Sequence, residues 1–105
     1  MKKTKSIITE YGDICFYCGK PCSTEHHLLF GTARNHAEED GIKFPVCDNH
    51  HTQNEVRCRI HGNPMAEKLS KIAGQLAYEK QKVSEGNSVS ESRELFRKRY
   101  GESYL

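Results

Sequence analysis

The chain has 105 residues, 35% of them hydrophobic and 29% charged, with no Trp and a formal net charge of +2. That length fits one small domain that buries a modest fraction of its surface and needs a staple. No apolar stretch reaches bilayer-spanning length, and the charge permits a nucleic-acid partner without requiring one. Five cysteines could mark a disulfide scaffold, but Met1 to Ile8 runs into polar Thr9 and Glu10 with no signal-peptide core. A reducing cytoplasm is expected, and metal binding becomes the default use of the thiols.

Turn residues fall at Gly12-Asp13, Gly19-Lys20-Pro21 and Gly31-Thr32, and the short apolar runs 28–30 and 42–46 read as strands of a small hairpin. Pro45 puts the second strand at a sheet edge or end. After Cys47, Asp48 is a good N-cap for a short helix through Val56, which would gather His50, His51, Asn54 and Glu55. Asn63 caps a longer helix with Pro64 at its first position, and Met65, Leu69, Ile72, Ala73, Leu76 and Ala77 supply an apolar stripe expected to pack on the core. The polar run 84–90 reads as a linker. A last helix begins at Ser88 or Ser90, with Ser88 and Glu91 at capping-box spacing, docks through Leu95 and Phe96, and stops at Gly101. Its Arg93, Arg97, Lys98 and Arg99 read as a solvated face that could also touch phosphates. The expected organisation is residues 1–83 as the working domain, 84–90 as linker and 91–105 as a helical tail.

Cys15-x2-Cys18 followed by Gly19 is a tight turn aiming two thiolates at one point, and Cys47-x2-His50 brings the matching pair from a helix start. Together they predict a structural zinc on Cys15, Cys18, Cys47 and His50. The alternatives are buried free cysteines, or a set that includes Cys22, which lies close to Cys18; Cys58 is left over.

His26 and His27 are adjacent on an expected strand, where successive side chains diverge, so they are expected to do different work. One can hold a cation while the other handles a proton, and phosphodiester hydrolysis needs both.

In Cys15-x2-Cys18, Glu25-His26-His27-Leu28 and Cys47-Asp48-Asn49-His50-His51 the chain resembles the HNH endonuclease family, over about residues 15–61. The resemblance implies an α+β fold: a zinc-stapled ββα-metal unit, here followed by a long amphipathic helix and a C-terminal helix. It implies His26 as first ligand of a catalytic divalent cation (Mg2+, Mn2+ or similar), His27 as general base and His51 as second ligand. Asn54 and Glu55 compete with His61 for the third ligand position, and His61 is preferred. The family's middle Asn has no counterpart, so Asp40 is the nearest candidate brace and Asn35 the alternative, while His36 reads as an exposed loop residue. The resemblance further implies DNA as partner, and a host of bacterial or phage-infected type; Arg34, Lys43, Arg57 and Arg59 flank the site as candidate phosphate contacts or plain surface charges. No membrane role is expected, and a homodimer is compatible but not demanded. Two other classes compete: a zinc-stapled nucleic-acid-binding module without catalysis, and an adaptor using the long helix to hold a partner. Six histidines exceed what one four-ligand zinc consumes, which favours the nuclease.

Overall fold

The computed structural model describes residues 4–105 as an α+β unit with a two-stranded antiparallel sheet and four α-helices among those residues. Strand β1, Glu25–His27, pairs with β2, Lys43–Pro45, in the register Glu25 to Pro45, His26 to Phe44 and His27 to Lys43. The first strand therefore lies just before the apolar run expected to form it. Leu28 and Leu29 are buried beyond its end, and the Leu28 amide still donates to Ile42 at 3.1 Å. Pro45 closes β2, where its missing N–H breaks no ladder bond.

The two strands are not joined by a simple hairpin turn. Between them come one 3₁₀ turn, Gly31–Ala33, and helix α1, Arg34–Asp40, a segment read from sequence as loop. Its acidic end, Glu38-Glu39-Asp40, opposes the helix dipole and hides it from local rules. Cations from elsewhere offset those charges: Arg99 donates to Asp40 at 2.7 Å and to Glu39 at 3.1 Å, and Lys43 to Glu38 at 2.8 Å. Gly41 ends α1 at φ 74°, its amide donating to the Ala37 and Glu38 carbonyls, and a side chain there would collide with the Lys5 carbonyl oxygen. Gly41→Ala should thus lower stability by about 1–3 kcal/mol, read as a drop in Tm, because it combines left-handed strain with displacement of the N-terminal segment.

Helix α2, Asp48–His51, is a single turn that ends five residues earlier than expected, with Cys47 rather than Asp48 as its cap residue. Helix α3, Pro64–Ser84, starts as the sequence predicts: the Asn63 side chain accepts from the Ala66 amide at 3.2 Å, and Pro64 opens the first turn. Only part of the expected stripe turns inward: Ala73 packs against the core, and Ile72 and Ala77 are half-buried. Met65, Leu69 and Leu76 are 74%, 65% and 53% exposed, whereas Ser70, Gly74, Gln75, Tyr78 and Glu79 face inward. Gly74 decides this rotation, since a β-carbon there would sit 3.1–3.2 Å from Leu28, Leu29 and Ile42, and only a bare backbone seats the helix that close to the strands. The inward polar groups are satisfied: Gln75 binds Glu79, Ser103 and the Tyr104 amide, and Glu79 takes Arg93.

Helix α4, Val89–Tyr100, carries the expected capping box, with Ser88 and Glu91 bonding each other's amides, and ends at Gly101. It packs on α3 through Phe96, fully buried against Tyr78 and stacked on Tyr100 at 4.7 Å; Leu95 stays at the rim. Arg93 and Arg99, considered as phosphate contacts, instead close ion pairs to α3 and α1. The turn from α3 to α4 is residues 85–88, and Phe96 joins the same buried cluster as Leu28, Ile42 and Val46. No helix of the described residues is long and apolar enough to cross a membrane.

Candidate metal centres and the adjoining cleft

The first centre grows from a knuckle. The Cys15 amide donates to the Lys20 carbonyl at 2.7 Å and the Gly19 amide to the Cys15 carbonyl at 2.9 Å, while Ile14 bridges Pro21. This folds Cys15 and Cys18 back on themselves, and Phe16 fixes the knuckle to the sheet by stacking on Phe44 at 4.7 Å. Cys47 and His50 arrive from the start of α2. Cys18 Sγ lies 3.7 Å from Cys47 Sγ, and His50 Nδ1 lies 3.1 Å from Cys47 Sγ and 3.9 Å from Cys15 Sγ. A zinc tetrahedron with Zn–S near 2.3 Å and Zn–N near 2.0–2.1 Å has S···S edges of about 3.8 Å and S···N edges of about 3.6 Å. The four residues therefore already span a zinc-sized coordination sphere and could hold such a metal. Burial raises the Cys15 thiol, but amide bonds from Cys47, Cys18 and Tyr17 outweigh it and bring the pKa down to about 6, whereas Cys47 is shifted the other way, the amide bond from His50 being outweighed by burial and by the neighbouring Cys15 and Cys18 sulfurs. Cys22 stands outside this group, packed against the core with its thiol pushed up by burial, and Cys58 is exposed on the turn Val56–Cys58.

A second group forms beside the first. His26 comes from β1, His51 from the end of α2, and His61 from the loop before α3, and their candidate ligand atoms lie within 4.8 Å of one another. Two backbone bonds bring the last pair together, Ile60 N to His50 O at 3.1 Å and His61 N to His51 O at 3.0 Å. His50 of the first group and His51 of the second are consecutive, so the position of one group is tied to that of the other.

Helix α3 orients two of these rings. The Ser70 hydroxyl donates to the Leu28 carbonyl at 2.8 Å, so its oxygen accepts from His26 Nε2, also at 2.8 Å. His26 Nδ1 is then the nitrogen with a free lone pair, and it is buried with no hydrogen-bond partner. An unpaired buried polar atom costs about 1–3 kcal/mol unless something fills its lone pair, and a cation shared with His51 and His61 would do that. Glu67 accepts from His61 Nδ1 at 3.4 Å and leaves Nε2 for a ligand bond. Burial, with His61, His51 and His27 nearby, lowers the His26 pKa to about 3, and burial and His61 lower that of His51, which keeps both rings neutral and able to ligate at pH 7.

His27 is not one of this group but lines a cleft of about 380 Å³ together with its members His51 and His61 and with Phe30, Arg34 and Glu25. Its Nε2 donates to Glu38 Oε1 at 2.9 Å. Burial raises the Glu38 carboxyl, but hydrogen bonds from Lys43 and His27 dominate and hold it down to about 2. Lys43, 1% exposed, is locked between Glu38 and Glu25 and is no phosphate contact.

Other expected participants lie elsewhere. Asn54 accepts from the Glu55 amide and Glu55 pairs with exposed Arg57, because α2 stops at His51 before it can carry either inward. Asp40 is no brace for the histidine loop, since its carboxylate takes Arg99 and, at 2.6 Å, the Tyr100 hydroxyl. Asn35 and His36 are exposed on α1, the latter edge-on to Tyr100 rather than in a loop. Arg59 is spent on the Thr52 and Asn54 carbonyls, while Arg34 is exposed at the cleft. Glu38, Glu67 and Ser70 escaped the sequence reading because none sits in a ligand-spaced motif. Comparison with protein-family models, curated proteins and solved structures finds no match to this chain.

Proposed function

We propose that this chain is a metal-dependent endonuclease of HNH type that hydrolyses DNA phosphodiester bonds. The observation that carries the reading is a group of three imidazoles, one with an orphaned buried nitrogen, beside a cleft and distinct from a complete Cys3His set. A purely structural zinc would leave these rings without a purpose. Zinc held by Cys15, Cys18, Cys47 and His50 would staple the fold, and a catalytic divalent cation would sit on His26, His51 and His61. Such a cation supplies Lewis-acid stabilisation of the phosphoryl group and the departing oxygen. An all-imidazole set suits borderline metals such as Mn2+, Co2+, Ni2+ or Zn2+ better than Mg2+, which prefers oxygen ligands.

In this reading His27 accepts the proton of the attacking water through Nδ1, the nitrogen that makes no hydrogen bond within the described residues. Arg34, exposed at the cleft, contacts a phosphate of the bound strand. The test is metal stoichiometry by element analysis alongside nicking of supercoiled plasmid with Mn2+, Ni2+ or Mg2+. Two metal equivalents are expected for the loaded protein and one for His61→Ala, which should lose nicking while keeping its zinc. A loaded protein that binds one metal and nicks nothing would leave a zinc-stapled binding module instead.

A further inference from the structure

We infer that Glu38, anchored by buried Lys43, is the positioning residue that holds His27 in the tautomer and orientation needed to accept a proton from water in the cleft. The inference rests on the nuclease reading for its catalytic consequence, but its geometry stands by itself. Glu38 lies on the last turn of α1, eleven residues beyond His27, and reaches back to Nε2 at 2.9 Å. Its second oxygen accepts from Lys43 Nζ at 2.8 Å and from the Thr4 amide at 3.1 Å. Lys43 is the cross-strand partner of His27, so the sheet register brings the ammonium beside the carboxylate that grips the ring.

Three features make this arrangement directional. A carboxylate paired with a buried ammonium is an acceptor only, so the ring nitrogen facing it must be the one that carries hydrogen. With hydrogen on Nε2, the lone pair of a neutral ring lies on Nδ1. Glu38 is itself fixed from three sides, by Lys43, Thr4 and His27, so the ring cannot turn over without leaving the carboxylate underbonded. Lys43 in turn keeps a second partner in Glu25, at 3.2 Å, which pins the ammonium to the sheet. A carboxylate that orients an imidazole and stabilises its protonated form is a general device for a histidine base. No local motif reveals it here, because α1 had to form before Glu38 could face β1.

The experiment uses zinc-loaded, full-length protein. Long-range proton–nitrogen correlation spectra of the histidine rings report the His27 tautomer directly, and nicking kinetics report kcat and KM for plasmid. For the wild type His27 is expected to carry hydrogen on Nε2. In Glu38→Ala that signature should give way to the Nδ1-protonated form or a mixture, with kcat down about 10- to 100-fold and KM changed less than about twofold. Glu38→Gln, whose one oxygen is claimed by the donors Lys43 and Thr4, turns its NH2 toward Nε2, and should likewise shift the ring to the Nδ1-protonated form with a lowered kcat. An unchanged tautomer in Glu38→Ala, in protein that retains its zinc, overturns the inference, as does a changed tautomer with unaltered kcat. A wild type that nicks no DNA defeats the nuclease reading alone, and the tautomer spectra then still decide whether Glu38 holds the ring.

Discussion

Stripping metal from Cys15, Cys18, Cys47 and His50, or changing Cys47 to Ser, is expected to unfold most of the chain and to dissolve the second histidine group with it. Structural zinc in small peptides contributes apparent free energies of about 10–16 kcal/mol, as large as the roughly 5–15 kcal/mol that a whole domain has to spare. The hydrophobic core cannot compensate. Its largest buried members, Phe96, Leu28, Leu29 and Ile42, cluster where α3, α4 and the strands meet, while the segment from Cys47 to His61 contributes little beyond Ile60. That segment carries His51 and His61, held by a backbone bond to one another and by the adjoining His50 of the Cys3His group. Chelation should therefore abolish cation binding at the second group before any ligand of that group is touched. Far-UV circular dichroism and element analysis during titration with a chelator check this. An apoprotein that keeps native ellipticity and still binds one cation at the histidine group would show the two centres to be independent.

On the nuclease proposal, the second large effect is on rate. His27→Ala is expected to reduce plasmid nicking by about 10²- to 10⁴-fold, the usual contribution of a positioned general base, which corresponds to roughly 3–5 kcal/mol of barrier. Because His27 is buried and bonded to Glu38, the substitution also removes packing and leaves a carboxylate with one partner fewer. Zinc content and thermal unfolding must be followed in the same sample, and His27→Gln, closer in volume, should lose the rate with less cost in stability. Because His27 stands outside the group of three imidazoles, both variants should retain two metal equivalents. Loss of the second equivalent would reassign His27 from base to ligand.

Some of this protein was written locally. The x2 spacings of Cys15-Cys18 and Cys47-His50 need only a tight turn and a helix start to aim their ligand atoms, so neighbouring residues suffice to specify them. Asn63-Pro64 and Ser88 with Glu91 likewise specify helix starts through bonds within one turn. The adjacency of His50 and His51 already links two centres in one short segment.

What lay beyond local reach was decided by packing. Helix α1 depends on Arg99 and Lys43 to offset its acidic end, and those partners come from a distant helix and the neighbouring strand. The apolar periodicity of α3 gave its inward face only in part, because close approach at Gly74, not the number of apolar side chains, sets which side meets the neighbouring segments. That same rotation puts Ser70 under His26 and Glu67 beside His61. Sequence alone placed Cys15, Cys18, Cys47 and His50 in one candidate set, since side-chain identity and short spacing suffice for that, while it left Asn54 and Glu55 in competition with His61. Tertiary structure decided which nitrogens are free and what orients them, because hydrogen-bond partners separated by 44 residues, as His26 and Ser70 are, become neighbours only when the chain is packed.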